Sequence, residues 1–145
     1  MKEIKFRAWD KNTKIMIPWD HLVKSRISFR TFRWALVSEN SENIELMQYT
    51  GLKDKNGVEI YEGDIEQAEN GDKNVIVFLL KAGTYCVMPM DIYLNNDYQN
   101  EAFSQEFMYG FGYDLFFDNL TPGKYLNIIG NRYENPELLK EGPTC

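Results

Sequence analysis

Apolar and polar positions alternate with period 2 near the start of the chain: Ile4, Phe6 and Ala8 fall on one side, Lys5, Arg7 and Trp9 on the other. That is the pattern of a half-buried strand. Asp10-Lys11-Asn12-Thr13 then supplies turn residues, and Ile15-Met16-Ile17 resumes the apolar run before Pro18, so the segment predicts a β-hairpin. A second strand is expected over 44–50, and Asp54-Lys55-Asn56-Gly57 turns it into Val58-Glu59-Ile60-Tyr61. The two Asp-Lys-Asn turns share too few residues to mark an internal repeat. Glu62-Gly63-Asp64-Ile65 reads as a tight turn or bulge, with Gly63 free to take positive φ. Beyond Asn70-Gly71, residues 75–80 form a buried-strand candidate; Ala82-Gly83 turns the chain, and 84–90 is its expected partner. Short strands joined by Gly and Asn turns predict a mainly-β domain: a small, strongly bent antiparallel sheet with SH3-like barrel character.

After residue 90 the periodicity changes. Phe103, Phe107 and Phe111 recur at helical spacing and Asn100 is an available N-cap, which predicts a helix over 100–109 and loop or irregular strand for the rest of 91–123. A last strand is expected over 125–129, ending at Gly130. Asn135-Pro136-Glu137 then presents an N-cap, a proline at the first helical position and an acid in the first turn, so a short helix closes the chain.

Composition narrows the class. With 145 residues, 43% hydrophobic and 26% charged, the chain suits one domain over 1–145 that needs neither disulfide nor metal to fold. Two cysteines, Cys86 and Cys145, and a single histidine, His21, exclude a disulfide framework, a zinc site built on His and Cys, and a multi-histidine acid–base centre. The first seven residues are charged and alternating with no apolar core for a secretory signal, and the longest apolar run, 75–80, is far too short to span a bilayer. An intracellular protein without a membrane span is expected. The net charge of −6 is unevenly spread: residues 1–37 hold nine Lys or Arg against three Asp or Glu, and 38–145 hold seven against nineteen. A basic first quarter suits either nucleic acid or the acidic remainder of the same or a neighbouring chain, and the overall acidity favours the second.

Three segments then carry a resemblance. They are Ile4-Lys5-Phe6-Arg7-Ala8-Trp9-Asp10; the long run from Gln48-Tyr49-Thr50-Gly51-Leu52-Lys53 through Asp54-Lys55-Asn56-Gly57-Val58-Glu59 to Ile60-Tyr61-Glu62-Gly63-Asp64-Ile65; and Ile129-Gly130-Asn131-Arg132-Tyr133-Glu134-Asn135-Pro136-Glu137-Leu138. Their order and spacing resemble the YopX family of bacteriophage and prophage proteins. The resemblance implies a phage or prophage origin and a mainly-β fold with barrel-like parts. It brings no catalytic residues with it. Segments 21–43 and 91–123 lie outside it, so what is particular to this chain is expected there, with 91–123 as a member-specific segment.

Several side chains could carry chemistry. His21 beside Asp20 is the minimum for general-base catalysis, but adjacent residues on a strand face opposite ways, so Asp20 is a poor orienter and a non-catalytic histidine is favoured. Glu59, Glu62, Asp64, Glu66 and Glu69 offer oxygen ligands, yet no calcium-loop spacing is present, and a solvated strand face with a turn accounts for them. Tyr109-Gly110-Phe111-Gly112-Tyr113 lacks the third glycine and the helix of a phosphate cradle, and has no adjacent cations for a stacking platform. Cys86 reads as a buried small hydrophobe and Cys145 as part of a mobile tail. The strongest signal is the basic–aromatic stretch with Lys24, Arg26, Phe29, Arg30, Phe32, Arg33 and Trp34, the mixture that single-stranded nucleic-acid grooves use. A half-buried element whose arginines pair with acids explains it as well.

These observations favour a non-enzymatic accessory module in the host cytoplasm that binds by protein–protein contact, as a homo-oligomer and to a host or phage protein, with no cofactor, metal or membrane. Nucleic-acid binding through 24–34 is the alternative. An enzyme ranks third, through carboxylate–metal chemistry.

Overall fold

The first hairpin forms where the alternation predicts it. In the computed structural model the described residues are 3–24, 43–80, 83–95 and 124–140, and the chain divides into two compact units, Met1–Gly51 and Leu52–Cys145. In the first, β1 (Phe6–Asp10) and β2 (Ile15–Ile17) pair antiparallel, with Ala8 opposite Ile17 and Trp9 opposite Met16. The Asp10 carboxylate holds the turn by accepting the Asn12 and Thr13 amides at 2.9 and 3.3 Å. The long strand β3 (Ile44–Lys53) flanks β1 on its other side, Arg7 facing Met47 and Ala8 facing Leu46. Lys11 bridges to Glu45 at 2.8 Å across this pair. Trp9 does not face solvent as the alternation implies: it is 7% exposed, while Ala8 on the opposite face is fully buried. The reason lies in its neighbours, because the Trp9 face also carries Met16 and the fully buried Met47, so both faces of β1 are apolar there.

Pro18 ends β2, and Trp19–Lys24 forms a helix, α1, against β1. Its Leu22 is fully buried, worth on the order of 2 kcal/mol, and Trp19 meets Phe6 with ring centroids 6.2 Å apart. Asp20 and His21 are therefore on a helix rather than a strand.

The second unit is built on a four-stranded antiparallel sheet in the order β7-β6-β5-β8, with β5 at Asp64–Gln67, β6 at Lys73–Leu79, β7 at Thr84–Pro89 and β8 at Ile128–Asn131. The end of β3 hairpins into β4 (Glu59–Tyr61), giving a second sheet in the order β2-β1-β3-β4. The fold is thus mainly β, with two small antiparallel sheets of which one curls into a half-barrel. The continuous apolar run in β6 is explained by burial on both faces. Val75, Val77 and Leu79 pack with Ile65, Cys86, Met88 and Met90, while Ile76 lies on the other side with Ile60, Tyr85, Val87 and Leu126.

Three expectations need correction. A helix, α2, spans Met90–Asn95 where loop or irregular strand was expected; β7 stops at Pro89, and Ile92 and Tyr93 of α2 pack on the core below it. The last strand starts at Ile128, not at Tyr125, which is 57% exposed. The closing helix is one 3-10 turn, Pro136–Leu138, and Asn135 provides no side-chain cap because its carboxamide is engaged elsewhere. The helix expected at 100–109 lies outside the described residues.

Candidate functional site

The family-like segments 48–65 and 129–138 are far apart in sequence, and their parts 54–65 and 129–138, with residues 126–128 just before the second, meet in the second unit. Asp54 is the hub. It is fully buried, and its Oδ1 accepts the amides of Asn56 and Val58 at 2.8 and 2.9 Å, which closes the β3–β4 turn. Its Oδ2 accepts the Ile128 amide at 2.9 Å, which ties that turn to β8. Alongside, the Lys55 amide donates to the Leu126 carbonyl at 3.0 Å and the Asn56 Nδ2 to Asn127 Oδ1 at 3.1 Å. Burial works against ionisation of Asp54, but the three amide donors, with Lys124 nearby, outweigh it and hold the carboxyl below its usual range.

The Tyr61–Asp64 stretch turns by the same device, the Tyr61 amide donating to Asp64 Oδ2 at 2.8 Å. Gly63, at φ +87°, is the one residue there that must lack a side chain: its amide reaches the Ile76 carbonyl, its carbonyl takes the Arg132 amide, and a Cβ would stand 3.1 Å from Arg132 Nε. In the third segment Asn131 Oδ1 accepts the Tyr133 and Glu134 amides at 3.0 and 2.8 Å. The Asn131 amide in turn donates to Asn135 Oδ1 at 3.2 Å, and the Asn135 carboxamide lies so close over Gly130 that a Cβ there would be 2.8 Å from its Cγ. Among the described residues β8 is an edge of its sheet, and its Ile128 and Asn131 amides are taken by side chains of Asp54 and Asn135. Edges closed this way resist unwanted strand pairing.

Around this clasp sit other buried polar groups. Glu66 accepts the Asn74 Nδ2 across the β5–β6 pair; burial pushes its carboxyl up, opposed by the Asn74 and Asn127 donors and by Lys55. Lys73, also buried, donates to the Leu138 carbonyl at 2.9 Å; burial, with Lys140 second, pushes its ammonium down. Burial and the charge of Glu62 push Tyr85 up to about 12.

The acidic run is thereby dispersed. Asp64 serves a turn, Glu66 meets Asn74, Glu59 accepts the Tyr61 hydroxyl at 3.3 Å, and Glu69 is exposed. Among the described residues no three His, Cys, Asp or Glu side chains gather as metal ligands. His21 is exposed on α1, and consecutive helical residues do not face one another, so Asp20 is no better an orienter there than on a strand. Cys86 is buried in β7. Of the basic–aromatic stretch, Lys24 is exposed at the end of α1; Arg26, Phe29, Arg30, Phe32, Arg33 and Trp34 lie outside the described residues, as do 109–113 and Cys145. The roles of Asp54, Asn131 and Asn135 were missed from sequence. Their only signal was Asx-turn chemistry, which names the turn and not the distant strand it holds.

Comparison with known proteins agrees with this architecture. The family model described as "YopX protein" matches residues 5–140. The chain belongs to the YopX family. No curated protein matches it. Among solved structures, the crystal structure of protein EF1440 from Enterococcus faecalis is similar, with 24% identity over 97% of this chain and 100% of that one and a TM-score of 0.54, which supports a shared fold. No helix among the described residues is long and apolar enough to cross a membrane.

Proposed function

We propose that this YopX protein is a phage or prophage accessory module of the host cytoplasm that acts by binding, associating with itself and with a host or phage protein rather than catalysing a reaction. The observation that carries the reading is the clasp. Asp54, Asp64, Asn131 and Asn135, four polar residues of the family-like segments, are engaged with backbone amides of their own fold, where they close turns and join strands. Function then falls to the surface. In the first unit Ile4 and Ile15 are 66% and 57% exposed, apolar area that a second protein surface would cover. The SH3-like character expected from the short strands fits a binding module of this kind. Nucleic-acid binding through 24–34 stands second, supported by the exposure of Lys24.

Light scattering over a hundredfold range of concentration tests the reading. A mass that rises above that of the 17.1 kDa chain is the expected result. A strict monomer that also captures no partner from host lysate after nuclease treatment overturns it.

A further inference from the structure

The outer surface of the clasp carries a feature of its own. By sequence the second unit holds seven Lys or Arg against sixteen Asp or Glu. Three of those seven, Lys53, Lys55 and Lys124, gather at one place. Lys53 and Lys55 flank Asp54 in the chain, and Lys124 is near enough to act on the Asp54 carboxylate. The bond from the Lys55 amide to the Leu126 carbonyl and the Asn56–Asn127 side-chain bond fix the 54–57 turn beside 124–127. All three lysines are exposed, and none takes part in an ion pair among the described residues. The two carboxylates these lysines act on, Asp54 for Lys124 and Glu66 for Lys55, are 0% and 4% exposed and turned to donors of the fold, so neither meets the lysines at the surface.

Beside these cations Tyr125 is 57% and Val58 46% exposed, and the space above Gly57 is open, so a chain can approach the turn's backbone. Uncompensated lysines next to an exposed aromatic ring are the two halves of single-strand recognition: the ammonium groups follow phosphates and the ring stacks on an unpaired base. Lysine is depleted from protein–protein interfaces, which argues against an acidic protein as the occupant.

We propose that Lys53, Lys55, Lys124 and Tyr125 form a binding face for single-stranded nucleic acid on the second unit. It is separate from the 24–34 stretch and independent of self-association. Three phosphate contacts give a shallow salt dependence, log K falling with log salt at a slope of about −2 for a single strand. Affinity is that of a sequence-independent site, with Kd on the order of micromolar to tens of micromolar at low salt.

The test is fluorescence anisotropy of a labelled mixed-sequence 20-mer, as DNA and as RNA, titrated with the full chain at about 50 mM and about 300 mM salt. The expected result is binding at low salt that the combined Lys53→Glu, Lys55→Glu and Lys124→Glu variant weakens at least about tenfold. Tyr125→Ala should weaken it by roughly tenfold without changing the salt slope. Lys24→Glu should leave it unchanged. Lys55 joins the clasp through its backbone amide, but Lys124 also favours the Asp54 carboxylate, so the triple Glu variant should lower the urea midpoint somewhat; the corresponding triple Lys→Gln variant, which adds no acids beside Asp54, should weaken binding in the same direction with the smaller change in midpoint. No anisotropy change at about 100 µM protein and about 50 mM salt, a concentration several-fold above the Kd of micromolar to tens of micromolar expected here, overturns the proposal. So does binding that survives the lysine replacements, or binding lost with Lys24→Glu instead. Equal affinity for duplex with no effect of Tyr125→Ala overturns the single-strand assignment.

Discussion

Replacing Asp54 by Asn changes one oxygen to an amino group and leaves the shape of the side chain nearly intact. Asn can keep its carbonyl oxygen toward the Asn56 and Val58 amides, but its NH₂ must then face the Ile128 amide, which now finds a donor where it had a carboxylate 2.9 Å away. One charge-assisted hydrogen bond is lost and a buried amide is left unsatisfied, a cost of about 2–4 kcal/mol. With an m-value of about 2 kcal/mol per M, the urea midpoint should fall by about 1–2 M with m unchanged. Asn56→Ala removes only the exposed side-chain bond to Asn127 and should cost less than about 1 kcal/mol. The pH dependence gives a second reading of the same group. Burial raises the Asp54 pKa, the amide donors and Lys124 lower it by more, and the folded value lies below the unfolded one. Its stabilisation is therefore complete above the unfolded value, near pH 4, and is lost as pH falls through the folded value. Asp54→Asn should flatten that acid limb. A midpoint within about 0.2 M of wild type, equivalent to less than about 0.5 kcal/mol, would refute the idea that Asp54 joins the turn to β8.

Other perturbations follow from the same geometry. Gly57 and Gly63 both have positive φ, but only Gly63 is crowded by Arg132, so Gly57→Ala should cost about 1 kcal/mol and Gly63→Ala about 2 kcal/mol or more in urea unfolding. Gly130→Ala drives a methyl into Asn135; combined with Asn135→Ala the two costs should sum to less than their separate values by about 1 kcal/mol, and strict additivity would show that the residues do not touch. Glu66 is pushed the opposite way from Asp54: burial raises its folded pKa above the unfolded value, so its carboxylate weakens the fold as pH rises through that interval. Glu66→Gln should be neutral or stabilising at pH 7 and should remove that decline, as followed by thermal melts from pH 4 to 8.

Much of the sheet was legible because the pattern is local. The hairpin of β1 and β2, the positive φ of Gly63 and the antiparallel partners β6 and β7 each follow from alternation plus a turn residue a few positions away. The failures have a common cause. The alternation places Trp9 with Lys5 and Arg7 because nothing within its own strand reveals that Met16 and Met47 lie beside it. Asn135 stands where an N-cap belongs, and the alternative acceptor role appears only once Gly130 and Asn131 have folded back beneath it. α2 occupies six residues, too few for helical periodicity to declare itself, and is held by packing on the core through Ile92 and Tyr93.

The same division separates fold from function in this chain. Asp54 reads as a turn residue on its own and becomes a junction only with Ile128, which lies 74 positions further along the sequence. A motif whose polar atoms are engaged in this way marks a shared architecture, because replacing any of them disturbs strand pairing before it disturbs a ligand. It says little about what the surface meets. The side chains of Lys53, Lys55 and Lys124 are exposed beside the junction and Tyr125 is 57% exposed, so their charge and ring can be changed at a smaller cost to the strands than a change at Asp54. Variants of the two sets should consequently separate: inward ones chiefly move the unfolding midpoint, and outward ones chiefly move binding.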